Sequence, residues 1–238
     1  IDGGGGSDPT VDSGIGEKVV IPFLLDSAVR RLDAVIATHP HSDHIQGLID
    51  VLELIKTDML IIPSMQDETG FRDLLLIAAS KNIPVFRCAG GDTIRLDDMT
   101  EMRVLNPEHE CDGDEESLNN ASLVIKLCYE QTSFLFTGDL EAEAEEAILK
   151  KAQDLSADVI KIAHHGSSTS TGESFLRAVD PEVAIISVGS NNFGHPSAEV
   201  LRRLEKYGTE YFRTDECGAV IVRSSGKDIR IRRTVAGK

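Results

Sequence analysis

Directly after the short apolar run Asp33 to Thr38, the chain reads Thr38-His39-Pro40-His41-Ser42-Asp43-His44. Three histidines and an aspartate thus fall within six residues, in a 238-residue chain that has only seven histidines. Imidazole nitrogen and carboxylate oxygen suit Zn²⁺, Mn²⁺ or Fe²⁺, and a turn can aim alternate residues at two neighbouring ions. Behind the turn, Ile45 to Ile55 carries apolar residues at helical spacing. A strand, a ligand-rich turn and a helix in immediate succession constrain the chain to a layered α/β fold with polar motifs at strand ends.

The rest of the chain repeats that alternation. Phe71 to Ala79 has helical spacing, and Met59 to Ile62 and Val85-Phe86 read as strands. The middle turns β-rich: Met102 to Leu105, then Ser122 to Tyr129 and Ser133 to Thr137 as a hairpin across Glu130-Gln131. Glu141 to Lys151 has acids at its start and lysines at its end, the order a helix dipole favours. Strand Val159 to Ala163, helix Gly172 to Val179, strand Val183 to Val188 and helix Ser197 to Tyr207 follow, and Ala219 to Val222 with Ile229 to Ile231 close the chain. The longest apolar runs, such as Val19 to Leu25 and Met59 to Pro63, are strand-sized and far short of the roughly 20 residues a bilayer requires. The opening Ile1-Asp2 reads as a strand end, and Gly3 to Gly6 as a loop approaching something closely. Residues 1–238 are therefore expected to form one domain, a fragment of a larger protein with a strand or two missing upstream.

A net charge of −16 argues against broad, charge-driven binding to nucleic acid or anionic membrane. It leaves room for a polyanionic substrate at a local site, where bound divalent cations reverse the sign. The acidic runs Asp112 to Glu116 and Glu141 to Glu146 read as solvated faces or helix starts. Cys88, Cys111, Cys128 and Cys217 lie far apart without a C-x-x-C pair, which favours isolated thiols over a disulfide framework.

T-H-x-H-x-D-H resembles the signature of the metallo-β-lactamase superfamily, which implies an αββα four-layer sandwich. It also implies a two-metal site, with His39 and His41 on one ion and Asp43 and His44 on the other. Further stretches resemble the superfamily in matching order. Asp2 with its glycines is similar to an early Asp-Gly loop that braces the site without ligating, and Asp139 in Thr137-Gly138-Asp139 to the aspartate that bridges both metals. Between these motifs the superfamily usually places another histidine. Only His109 lies there, inside the acidic loop Glu108 to Glu116, while Leu118 to Ser122 stands where that histidine is expected. The resemblance therefore assigns the missing first-metal ligand to His165 of His164-His165-Gly166-Ser167, and the last second-metal ligand to His195 of Gly194-His195-Pro196.

The combination I-D-G-G-G, T-H-P-H-S-D-H, N-x-x-S, F-x-T-G-D, H-H-G-S, S-V-G-x-N-x-x-G-H-P (Ser187 to Pro196) and Arg213-Thr214-Asp215 with Gly218 is similar to one narrower group. That group is the C-terminal domain of ComEC-type competence proteins, which serve DNA uptake across the bacterial membrane. The resemblance implies a Mn- or Zn-dependent nuclease, borne outside the cytoplasm beside the membrane channel of its parent protein. Phosphodiester hydrolysis then gives each residue a role: Asp139 orients the attacking water, and His164 protonates the leaving oxygen. Asn120 and Ser122, or Ser167 and Ser168, hydrogen-bond the phosphate, and Arg213 contacts phosphate or strand. Competing readings are hydrolysis of another phosphodiester such as a phosphocholine ester, a lactamase or lactonase, and a non-catalytic DNA-coupling module. An aromatic content of 5% does not favour the last as a stacking platform.

Overall fold

The computed structural model describes residues 1–6, 14–108, 118–151 and 153–235. His109, Cys111 and the acidic run Asp112 to Glu116 lie outside them. The chain divides into two compact units, Ile1–Ala89 with Pro107–Leu123, and Gly90–Asn106 with Val124–Lys238.

In the first unit the elements are α1 (Ile21–Asp26), β1 (Arg31–Leu32), β2 (Val35–Ile36), α2 (Ser42–Leu54), β3 (Lys56–Thr57), β4 (Leu60–Pro63), α3 (Arg72–Lys81) and β5 (Val85–Cys88). Strands β2, β4 and β5 form a parallel sheet in that order, and β1 pairs with β3. Parallel neighbours need a crossover, which α2 and α3 supply. The apolar stripe predicted over Ile45 to Ile55 buries Ile45, Leu48, Val51 and Leu52 in a core shared with Val35, Leu60, Ile62, Phe71 and Leu74. The run Val19 to Leu25, strand-sized in sequence, is helical instead, over Gly16–Val20 and α1. Pro22 lacks the N–H a central strand must donate but is tolerated in the first turn of a helix.

The Gly3-Gly4 stretch lies against α2. The Gly3 N–H donates to His44 O at 2.8 Å, and Gly47 N–H donates to Gly4 O at 2.9 Å. A methyl on Gly3 would sit 2.5 Å from Leu48 N, and one on Gly47 only 2.2 Å from Gly3 O, so neither position admits a side chain. The close approach expected of the glycine loop is thus made to the backbone of α2, the helix that follows the histidine cluster.

The second unit contains β6 (Thr93–Arg95), β7 (Thr100–Asn106), β8 (Val124–Tyr129), β9 (Thr132–Phe136), α4 (Ala142–Lys150), β10 (Val159–Lys161), α5 (Glu173–Val179), β11 (Val183–Ile186), α6 (Ala198–Tyr207), β12 (Glu210–Arg213), α7 (Thr214–Cys217), β13 (Val220–Ser224) and β14 (Ile229–Arg233). Seven strands make one sheet in the order β12-β11-β10-β9-β8-β7-β6. The first four are mutually parallel, and β6 to β9 run antiparallel to one another in turn. The hairpin predicted across Glu130-Gln131 is present, with Tyr129 opposite Thr132. Strands β6 and β12 carry charged residues among few apolar ones and gave no periodic signal. A core of Leu135, Leu140, Ile148, Ile160, Ile162, Phe175, Leu176 and Ile186 packs sheet against helices. Cys128 and Cys217 are free thiols.

Glu145 on α4 is buried and accepts the backbone N–H groups of Thr171 and Gly172. Arg203 donates to the carbonyls of Ser170 and Thr171 at 3.2 and 3.1 Å, so α4 and α6 both hold the 167–172 loop. Burial raises the Glu145 carboxyl from the ordinary 4.5 to about 7, against the two N–H donors and Arg203, which lower it. Between those two pH values the folded chain holds a proton that the unfolded chain has released, so stability falls as pH rises. A shift of this size corresponds to about 3 kcal/mol across the window. Urea unfolding of wild type and Glu145→Gln at pH 4.5, 5.5, 6.5 and 7.5 is expected to show this decline in wild type and a flatter profile in the variant.

Candidate metal centre

His39 to His44 occupy the turn between the end of β2 and the first turn of α2, with His41 at the helix N-cap. One carboxylate organises them. Asp2 Oδ1 accepts the Thr38 N–H at 2.8 Å, and Oδ2 accepts the Thr38 hydroxyl at 2.9 Å. Oδ2 also lies 2.8 Å from His44 Nδ1. Asp2 is itself fixed, its N–H donating to Ile36 O at 2.9 Å, in a left-handed conformation (φ 53) that aspartate tolerates better than most residues. Burial alone would raise the Asp2 carboxyl. The His44 hydrogen bond and charge, His39 and the Thr38 N–H outweigh it and hold the group below its usual range.

These contacts decide the tautomers. Nδ1 of His44 faces a carboxylate and carries its proton there, which leaves Nε2 with the lone pair. The Thr38 hydroxyl donates to Asp2, so His39 Nδ1, 3.0 Å from the same oxygen, is the donor in that contact, and His39 Nε2 is again the lone-pair nitrogen. His39 Nε2 lies 3.1 Å from His41 Nδ1, and His44 Nε2 lies 4.0 Å from Asp43 Oδ2. Two donors at about 2.1 Å from one tetrahedral ion are about 3.4 Å apart. The separations within these two pairs are therefore close to the bite of a cation. His39 and His44 are almost completely buried. Three imidazoles and a carboxylate, two of the imidazoles buried, are a donor set that fits a divalent metal.

The second unit brings its candidate residues together at the carboxyl ends of three adjacent parallel strands. Phe136 of β9 pairs with Lys161 of β10, and Lys161 with Ile185 of β11, so the loops that follow leave the sheet side by side. They carry Asp139, His164 with His165, and His195. The Gly138-Asp139 turn is held by Lys161, whose Nζ donates to Gly138 O at 3.1 Å and lies 3.8 Å from Asp139 Oδ1. His165 Nδ1 donates to Ser187 O at 2.7 Å, and its Nε2 lies 3.4 Å from Asp139 Oδ2. His164 Nδ1 lies 3.1 Å from Glu141 Oε1, which also accepts the Thr169 hydroxyl at 3.0 Å. Both histidines adopt left-handed backbone (φ 46 and 52), which turns the two side chains apart. Gly166, where a methyl would meet Pro196 at 2.6 Å, lets the chain pass. The His195 ring lies 5.5 Å from that of His164. Burial, then the neighbouring His164 and His165, lowers its pKa against the pull of Asp139, so His195 is a neutral donor at pH 7.

The residues considered for phosphate binding differ in their accessibility. Ser122 is buried and Asn120 half-buried, in the turn whose Leu123 N–H donates to Thr38 O at 2.8 Å. Ser167 is buried and bonded to the Thr169 hydroxyl at 2.9 Å, whereas Ser168 is exposed. Arg213 is clamped by Asp215 at 3.1 and 2.7 Å and by Glu216 at 3.0 Å, so its charge is already matched within the loop. Sequence reasoning missed Glu141, Lys161 and Asn191. Glu141 lay in an acidic run taken as a helix start, and only the fold sets it against His164.

The metallo-beta-lactamase superfamily model matches residues 3–190. ComE operon protein 3 of Bacillus subtilis is 37% identical over 208 residues, which are 87% of this chain and 26% of that protein. Competence protein ComA of Neisseria gonorrhoeae is 30% identical over 203 residues, 84% of this chain and 26% of that protein. The chain thus spans about a quarter of the length of these relatives. Among solved structures, a candidate metal-dependent hydrolase from Parabacteroides distasonis superposes with a TM-score of 0.50 at 16% identity, covering 76% of this chain and 75% of that one. This likeness bears on the fold alone and agrees with the expected α/β class. With the family model spanning most of its length, this chain belongs to the metallo-β-lactamase superfamily.

Proposed function

We propose that the chain is a metal-dependent phosphodiesterase that hydrolyses DNA during bacterial DNA uptake. The observation that carries the reading is the His164–Glu141 contact at 3.1 Å, one strand away from Asp139. A phosphodiester expels an alkoxide, which leaves readily only when it is protonated as the bond breaks. An imidazole whose Nδ1–H is held by a carboxylate has a fixed orientation, with Nε2 as the nitrogen that serves the departing oxygen. The names of the relatives, ComE operon protein 3 and Competence protein ComA, support a role in competence, and DNA as the substrate follows from the resemblance to the ComEC-type domain.

In this reading His39, His41, Asp43, His44, Asp139, His165 and His195 hold two divalent cations, Mn²⁺ or Zn²⁺. When bound, such cations supply Lewis acidity toward phosphate oxygens and lower the pKa of water toward neutrality. The chain's own groups do the rest. Asp2 and Thr38 keep the histidine lone pairs pointed inward, Asp139 orients the attacking water, and Lys161 holds the turn that carries Asp139. His164 passes its Nε2 proton to the departing oxygen. Ser168, exposed and three residues after His165, hydrogen-bonds a phosphate oxygen in this reading, and Arg213 braces the start of α7.

Three measurements test these roles. With Mn²⁺, the chain is expected to degrade plasmid or single-stranded DNA, and Asp139→Ala to lose at least about 100-fold in kcat. Full activity in that variant would contradict the mechanism, and cleavage of bis-p-nitrophenyl phosphate with intact DNA would reject DNA while keeping the phosphodiesterase class. Glu141→Gln is expected to slow DNA cleavage by about 10-fold or more. It should barely affect bis-p-nitrophenyl phosphate, whose nitrophenolate leaves without a proton; equal losses on both substrates would remove Glu141 from the proton-transfer role. Asp2→Asn is expected to weaken Mn²⁺ binding by about 10- to 100-fold in calorimetry, since the amide no longer anchors the His44 tautomer.

A further inference from the structure

The loop between β11 and α6 displays an aromatic ring where a soluble surface would bury or avoid one. Phe193 is 73% exposed, more than any other large apolar side chain among the described residues. Its ring is stacked on His195 at an interplanar angle of 26° and a centroid distance of 6.0 Å. The backbone beneath it is not loose. Asn191 Oδ1 accepts the N–H groups of Phe193 and His195, both at 3.1 Å, and its Nδ2 donates to Gly189 O at 2.9 Å and His195 O at 2.8 Å. That one side chain spends two donors and two acceptors on four backbone groups of the loop. Gly194, at φ 80, takes the left-handed turn that returns the chain to His195. The loop therefore costs little further ordering to present a rigid aromatic face next to a histidine assigned to the metal centre.

Resting on the phosphodiesterase reading above, we infer that Phe193 is the platform on which a nucleobase of the substrate stacks. A polynucleotide offers a flat π-face one sugar away from each phosphate, and stacking on aromatic side chains is the sequence-tolerant way to hold it. The chain's −16 charge makes such a contact more valuable, because general attraction to the phosphates is lacking. Diesters that carry neither a flat ring nor a quaternary ammonium gain nothing from the platform, so Phe193 gives the site a preference among phosphodiesters. The low aromatic content that counted against a stacking surface in the sequence does not bear on one ring placed beside the site.

Two readouts test this. The chain contains no tryptophan, so Phe193→Trp introduces a single fluorophore at the platform. Titration with a single-stranded oligodeoxynucleotide is expected to quench its emission, while an abasic oligomer of equal length and charge leaves it unchanged. In steady-state kinetics with Mn²⁺, wild type is expected to prefer the base-bearing oligomer over the abasic one by about 5- to 100-fold in kcat/KM, chiefly through KM. Phe193→Ala should bring that ratio to about 1, and Phe193→Tyr should keep it. Equal quenching by both oligomers, or an unchanged ratio in Phe193→Ala, overturns the inference while the nuclease reading stands. Wild type that leaves DNA intact but hydrolyses bis-p-nitrophenyl phosphate overturns both.

Discussion

The Asp2 carboxylate is the interaction on which the histidine cluster depends. Its two oxygens take the Thr38 N–H, the Thr38 hydroxyl and His44 Nδ1, and through Thr38 they also determine which nitrogen of His39 carries the proton. Without that anchor, imidazoles this close would share protons among themselves and present mixed tautomers. With it, the lone pairs of His39 and His44 face inward before any ion arrives. The cost appears in the backbone: Asp2 is left-handed, and Gly3 and Gly47 must lack side chains so that the opening segment, which is not a strand, can lie against α2.

A comparable economy governs the second unit. Four parallel strands end at one edge, and the polar residues that follow three of them need no long loops to meet. Backbone carbonyls and lysine do the orienting there: Ser187 O holds His165, and Lys161 holds the Gly138-Asp139 turn. The left-handed pair His164 and His165 separates two adjacent imidazoles into different tasks. One faces Glu141 and the other Asp139, so neighbours in sequence reach different partners without competing for the same space.

Much of this was legible in the sequence, for identifiable reasons. The strand–turn–helix around His39 to His44 combines a strong period change with a rare residue cluster, and the Glu130-Gln131 hairpin is bounded by two clear strands. Helices α3 to α6 fell close to their expected bounds because their apolar faces are deep in one core or the other. The run Val19 to Leu25 is uniformly apolar and carries no period to mark it as helix; in the fold Val19, Phe23 and Leu25 are exposed while Ile21 is buried. Glu141 and Phe193 were invisible for another reason. A lone carboxylate in an acidic run, and a lone aromatic in a polar loop, acquire meaning only from what the fold sets beside them. The ion pairs around Arg213 were equally hidden, since they join residues two and three positions apart across the start of α7.

The central claim is that the Asp2-braced cluster holds two cations, each on its own pair of donors. Anomalous diffraction from Mn²⁺-soaked crystals, collected at the manganese edge, tests it directly. The account predicts two peaks, one within about 2.3 Å of His39 Nε2 and His41 Nδ1 and the other within the same distance of His44 Nε2 and an Asp43 carboxylate oxygen. A single peak shared by all four groups, or none at the cluster at full Mn²⁺ saturation, would contradict it.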